Sequence, residues 1–344
     1  MKQKKSVFIF FLFLIIVSCG KKNDLSSIFG QITEVHCKEI VIDDLLSNPS
    51  DLITIDGNII FSDYVDDKII AIYNIKEKKI THRIFTEGQG PNEFLPTPLT
   101  LEVDNKQKTI NVLQRQYGIY TQYKLADLLN ENIVPFNKFD FGRIDKITET
   151  HNGFIAAGSY SNGSIGIYDR NATLKNIEDI YPSYFSNSEN IENKYRIGQG
   201  QIHFNKEMQI FVFGSSLTGE IKFFNVLNTY ELKLIHSYSV GNSSFSNRME
   251  NNPDNTPIME TDIYHCVNIC SSKECIYILY CGEQFMNRSS AKHSYILKFD
   301  SKGKALNCYK TDYQLISICV NDKEQVYGSS ISEALDPVFV EIDM

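Results

Sequence analysis

Leu52-Ile53-Thr54-Ile55, Asp56-Gly57-Asn58, Ile59-Ile60-Phe61 reads as an apolar strand, a tight polar turn and a second apolar strand. An Asp-Gly pair between β-branched runs is a strong short-range hairpin signal. The same unit returns with turns at 104–108, 151–153, 205–207, 271–274 and 321–324, each set between apolar runs. The six turns centre near residues 57, 106, 152, 206, 272 and 322, so they lie 49, 46, 54, 66 and 50 residues apart. Further strand-like runs follow, as in 69–75 then 79–85, or 221–226 then 232–240. A period of roughly 40 to 50 residues with four strands per unit marks a β-propeller. Seven blades and a two-sheet sandwich fit the repeat less well than six.

Ring closure is read independently. The sixth unit has strands beginning at 315, 325 and 337 and no fourth, while 34–42 is strand-like and has no unit of its own. A strand donated from the front of the chain would complete the last blade and remove an exposed sheet edge. The expected fold is therefore all-β: a six-bladed propeller of four antiparallel strands per blade over residues 34–344.

Lys2, Lys4 and Lys5 precede an apolar run from Val7 to Val17, which ends in Ile16-Val17-Ser18-Cys19. A membrane span needs about 20 apolar residues, and this run is shorter, with a basic flank. It reads as a signal peptide over 1–18 closing on a lipobox, with Cys19 lipidated and 19–33 as tether. A buried helix and ordinary secretion are the competing readings. The expected location is the cell envelope, on the outer membrane facing the periplasm, for a monomer moored by its lipid.

Composition is that of a globular chain, 42% hydrophobic and 22% charged, with 19 Tyr, 22 Phe and no Trp. A net charge of −8 offers nucleic acid no electrostatic basis. Besides Cys19 there are seven cysteines, an odd number that cannot form a complete disulfide framework. Cys266, Cys270, Cys275 and Cys281 lack the C-x2-C knuckles of structural zinc sites. Buried free thiols, or one or two disulfides with Cys270–Cys275 foremost, remain open.

Gly88-Gln89-Gly90-Pro91-Asn92-Glu93-Phe94, between the first and second units, resembles the G-x-G-P-x-E-F segment of TolB-like and NHL-like six-bladed propeller lipoproteins. Such proteins are common in the envelopes of Bacteroides-type bacteria. The resemblance implies the fold and location above and supplies no catalytic residues. Within the segment, Gly88 and Gly90 allow positive φ and Pro91 fixes the exit, which suits a tight structural linker with Glu93 and Phe94 part of it.

In such a ring the B–C loops and D–A linkers share the face that holds the channel mouth, strands being lettered from the axis outward. Two D–A linkers, 182–200 and 241–262, are long and rich in Asn and Ser; they form either a lid or disordered insertions. Arg115, Arg143 and Arg196 on this face could grip a carboxylate or phosphate, or simply pair with surface acids. Asp63, with Asp66 and Asp67, could ligate calcium or lie in a solvated loop. His265 begins an inner strand and could face the channel. Tyr181, Tyr184, Phe185 and Tyr195 form either a stacking platform or packing. No G-x-S-x-G elbow, H-E-x-x-H or phosphate loop is present. The leading reading is a non-catalytic binding or scaffold module for a peptide, glycan or protein partner. A hydrolase or lyase of lactonase or glycan-cleaving type, with calcium in the channel and no other cofactor, is the alternative. Three or more convergent Asp, Glu, Asn or His side chains at the mouth would favour the enzyme.

Overall fold

The computed structural model describes residues 24–90, 93–95, 97–241, 245–332 and 334–344. The expected signal peptide, Cys19 and Pro91 lie outside the described residues. Six sheets are arranged as blades, each beginning with an A strand on the channel. Blade 1 comprises Ser50–Ile55, Asn58–Val65, Lys68–Asn74 and Lys79–Thr86. Blade 2 comprises Leu99–Asp104, Thr109–Gln114, Ile119–Lys124 and Asn137–Asp140. Blade 3 runs Ile144–Glu149, Gly153–Tyr160, Gly163–Asp169 and Leu174–Glu178. Blade 4 runs Gly200–Asn205, Ile210–Ser215, Glu220–Val226 and Leu232–Ser239. Blade 5 holds Ile263–Ser271, Cys275–Gln284, Tyr295–Asp300 and Ala305–Thr311. Blade 6 holds Leu315–Val320, Val326–Ile331 and Pro337–Ile342. Within each blade consecutive strands pair antiparallel.

The sequence pattern follows from packing. Each blade is covered on both faces by its neighbours, so middle strands read as unbroken apolar runs such as Ile59-Ile60-Phe61, all fully buried. Outer strands face solvent, as Leu232–Ser239 shows with five consecutive exposed residues. Aromatic pairs join neighbouring blades: Phe61 meets Phe339 at 4.8 Å between ring centroids, and Phe223 meets Phe299 at 5.0 Å. Such edge-on and tilted contacts add about 0.5–1.5 kcal/mol each beyond area burial.

Closure occurs as expected, with one refinement. The segment expected as a single strand over 34–42 is two. Ile32–Val35 pairs parallel with the outer strand of blade 5, placing Ile32 beside Cys308. Cys37–Ile40 then pairs antiparallel with Pro337–Ile342, Cys37 opposite Ile342, and becomes the fourth strand of blade 6. The switch falls at His36 and is pinned by Asp312. One Asp312 carboxylate oxygen accepts the Cys37 N–H at 2.9 Å, and the other lies 2.6 Å from His36 Nδ1. A short helix also forms within the stretch expected as tether. Asp24 caps a short helix, Leu25–Phe29, whose Leu25 and Phe29 pack on the blade 4–blade 5 core.

All seven described cysteines are free thiols; six are buried and Cys270 is partly so. Cys270 and Cys275 are not joined. Burial pushes the Cys308 thiol up to about 12, which keeps it protonated and unreactive.

The glycine-rich linker works by a different mechanism from the expected one. Neither Gly88 nor Gly90 has positive φ. Instead the chain folds back, with the Gly88 N–H donating to Phe94 O and the Phe94 N–H to Thr86 O, both at 2.9 Å. Glu93 turns inward and accepts the Gly90 N–H at 2.7 Å. A Cβ on Gly88 would lie 2.0 Å from a Glu93 carboxylate oxygen. Glycine leaves room for that carboxylate where it stands, at the flexible end of an exposed side chain that a Cβ would displace. Phe94 is 2% exposed and packs edge-on against Phe85, nailing the linker into the core.

Removal of residues 1–42 leaves blade 6 with three strands; we expect a fall of about 10 °C or more in the thermal midpoint, read by circular dichroism. Gly88→Ala is expected to cost about 0.5–1.5 kcal/mol, the worth of the Glu93 hydrogen bond to the Gly90 N–H that it displaces. In a Glu93→Ala background the same change should cost much less, as a denaturant double-mutant cycle would show.

Candidate ligand-binding site

The two long D–A linkers fold together as a cap. Ile191–Gly198 is helical, N-capped by Asn190, whose side chain accepts the Asn193 N–H at 3.0 Å. The second linker supplies the helix Phe245–Asn251 and the turn Pro253–Asn255. Phe185, Ile197, Phe245 and Met249 form the buried apolar centre of the cap over Leu217. Polar ties cross between the linkers. One Asp254 carboxylate oxygen accepts the Ser188 hydroxyl at 3.0 Å, the Glu189 N–H at 2.8 Å and the Asn190 N–H at 2.9 Å. The Arg196 guanidinium donates to Asn193 Oδ1 at 2.7 Å and Thr256 O at 2.6 Å. Gly198 lets the cap approach closely, because a Cβ there would sit 2.3 Å from the Tyr181 ring.

Beneath the cap lies a cavity of about 290 Å³ at the channel mouth, enclosed by B–C loops and D–A linkers as the fold demands. Tyr181, Tyr195 and Tyr264 supply aromatic walls, and Gln199 and Gln201 supply amides. Three cations face it: Arg115, Lys146 and Arg288. Arg115 donates from Nε to Asp145 O at 3.1 Å and keeps a terminal nitrogen 3.7 Å from Asp145 Oδ1. Lys146 is 9% exposed; its ammonium lies 3.4 Å from Thr100 Oγ1 and 4.0 Å from Asp51 Oδ1. Burial lowers its proton affinity, and Asp51 only partly restores it. Arg288 lies over the Tyr264 ring at 4.1 Å. Among the described residues that line the cavity, Asp145 is the sole carboxylate, and Glu, Asn and His are absent.

The inner channel continues below Lys146 as a second cavity of about 100 Å³. Glu102 there accepts the Tyr120 hydroxyl at 3.0 Å and the Glu149 N–H at 3.3 Å, and burial raises its carboxyl to about 7. His203 lies 2.7 Å from Ser271 Oγ and burial pushes it down to about 4, so it is neutral at pH 7. Lys206 closes the far end, bridging Asp104 at 2.6 Å and Glu149 at 3.0 Å.

Of the residues singled out from sequence, Arg115 lines the cavity. Arg143 is exposed in its linker outside it. Arg196 straps the cap together and is not aimed at a ligand. Asp63 is fully buried and holds the incoming chain, accepting the Ser47 and Asn48 N–H groups at 2.9 and 2.8 Å and pairing with Arg83 at 3.2 Å. Asp66 and Asp67 point to solvent, so the three carboxylates do not converge on a cation. His265 turns from the channel into the seam between blades 4 and 5, where its Nδ1 lies 3.1 Å from the Tyr280 hydroxyl and Gly219 and Gly241 make room for it. Tyr181 and Tyr195 line the cavity, whereas Phe185 is cap core. Lys146 and Arg288 carry no motif.

Asp254 is held below the usual carboxylate range, chiefly by the Asn190 N–H and then by Ser188 and Glu189. A depressed carboxyl contributes stability above its unfolded-state pKa and loses it as pH falls through the folded one. We therefore expect the cap to stay shut from neutrality into the mildly acidic range and to open below it. Asp254→Ala should open it at pH 7, seen as faster amide exchange across 188–197 with the blades unaffected.

No curated protein sequence matches the chain. Among solved structures, a protein described as exported, from Bacteroides fragilis NCTC 9343, superposes with a TM-score of 0.59 at 13% identity, over 93% of this chain and 96% of that one. A member of the DUF4221 family from Bacteroides vulgatus ATCC 8482 superposes with a TM-score of 0.56 at 12% identity, over 91% and 97%. At such identities the likeness is one of fold. The family model described as TolB-like 6-blade propeller-like matches residues 29–323, nearly the whole ring, and the chain belongs to that family.

Proposed function

We propose that this protein is a non-catalytic binding module of the cell envelope, moored through Cys19 to the outer membrane on its periplasmic side. Its capped mouth holds a ligand drawn from a peptide, glycan or protein partner. The observation that carries this reading is the make-up of the mouth: three cations, amides and tyrosines with one carboxylate, which Arg115 already engages. Glycoside hydrolysis of the common kind uses a pair of carboxylates, and calcium-assisted hydrolysis uses convergent oxygen ligands. Among the described residues no group of three His, Cys, Asp or Glu is arranged to hold a metal ion. An ordered roof over a polar, aromatic-walled cavity is instead the usual form of a small-ligand site. The basic, apolar run ending at Cys19 supports export, as does the exported description of the structurally similar Bacteroides fragilis protein.

Two measurements test the reading. Cys19→Ala should abolish incorporation of labelled palmitate and move the protein from the membrane pellet to the soluble fraction; unaltered partitioning would refute the anchor. With calcium supplied, the full-length chain should give no turnover above buffer on lactone, ester and glycoside panels. Turnover abolished by Lys146→Met or Arg115→Gln would replace binding by catalysis.

A further inference from the structure

The cations at the mouth are unequally committed. Arg115 is tied to Asp145 through two contacts. Lys146 has a long hydrogen bond to Thr100 and Asp51 at 4.0 Å, a loose arrangement for an ammonium that is nine-tenths buried. Arg288 has no carboxylate partner among the described residues and rests on Tyr264, its N–H edges unused. Three cations thus face two carboxylates, Asp145 and Asp51. One positive charge is left over in a partly desolvated space, which a single carboxylate neutralises and a dianionic phosphate would overfill. The neutral lining has a second chemistry. The Gln201 carboxamide makes no hydrogen bond among the described residues, and Ser164 accepts the Ile180 N–H at 3.3 Å, leaving its hydroxyl proton to donate. Amide and hydroxyl donors and acceptors of this kind pair with ligand hydroxyls, and Tyr181 and Tyr195 offer faces to a ring. At about 290 Å³ the cavity stands at the lower end of the range for small-molecule sites, a size for one ring and not an extended chain.

We propose that the cavity takes a sugar acid: a single polyhydroxylated ring bearing one carboxylate, which Arg288 grips from the rim and Lys146 receives from below. This inference rests on the binding reading above and gives it a ligand class. Arg115 acts as a positioning residue, holding Asp145 so that the surplus charge stays on the other two cations. The tyrosines cover the ring faces and Gln201 reads a hydroxyl. The cap provides the route in, since the roof spans the same cavity and is held by Asp254 and Arg196.

The test is calorimetric titration of the full-length chain in detergent with D-glucuronate and D-galacturonate, against D-glucose, D-galactose, acetate and glucose 6-phosphate. At least one uronate should bind, with its neutral parent sugar weaker by roughly tenfold or more, as expected for loss of a charge-assisted contact, and with the phosphate and acetate weaker still. Arg288→Gln, at a partly exposed site without an acidic partner, should fold normally by circular dichroism and lower uronate affinity about tenfold, without altering neutral-sugar binding. Equal affinity for uronates and neutral sugars, tighter binding of the phosphate, or no effect of Arg288→Gln would overturn the proposal. Hydrogen exchange across the cap, run with the same sugars and with short peptides, separates the two levels of inference. Protection by a peptide or neutral sugar but not by a uronate would remove the sugar acid and keep the binding site. Absence of protection by every class would remove both.

Discussion

The pairing of Cys37–Ile40 with Pro337–Ile342 is the constraint on which the rest of the ring depends. A propeller's inner strands define a channel only if the last blade is complete and abuts the first. Here the abutment is made by Phe339 against Phe61 and Tyr73, and by Leu52 accepting the company of Ser317, whose hydroxyl takes its N–H at 3.0 Å. Neither contact exists unless blade 6 keeps its sheet. Asp312 is central to this because it fixes the one residue, His36, at which the chain leaves blade 5 for blade 6.

Around the channel the blade interfaces are not equivalent. The inner strands of most neighbouring blades pack directly, whereas those of blades 2 and 3 touch less. Near the channel their junction is bridged by polar contacts: Arg115 to Asp145, Lys146 to Thr100, the Glu149 N–H to Glu102. Two of the cations at the mouth therefore belong to the junction whose inner strands touch least, its apolar packing lying further out, where Leu113 and Tyr120 share a cluster with Phe154 and Ala156. The third, Arg288, comes from the B–C loop of blade 5. Site and seam share residues, and a ligand held at the mouth would join blades 2, 3 and 5.

Much of the ring was legible because blades bury both faces. Two-sided burial produces apolar runs with polar turns at a steady period, and even the donated strand could be placed by counting. The cap was not legible as structure: Asn190, Ser188 and Asp254 read as loop composition, and their reciprocal hydrogen bonds join residues about 65 apart. Nor does sequence separate Arg196 from Arg115. Both are arginines near strand ends, and only helical phase turns Arg196 toward Thr256. Asp63 beside Asp66 and Asp67 illustrates the same limit, since alternation along a strand sends one carboxylate inward and a turn sends the others out. At Gly88 the glycine was noticed but its reason was not, because crowding by a side chain five residues on leaves no mark on local propensity.

The latch between Cys37 and Ile342 joins positions about three hundred residues apart along the chain. Loop-closure entropy rises only slowly with length, yet a contact this remote cannot form until everything between is available, and high contact order slows folding. Blades 1 to 5 can collapse one after another as local hairpins, while the final sheet waits for both of its contributors. A chain cut short before Pro337 would therefore leave the ring open, with Cys37–Ile40 an unpaired sheet edge.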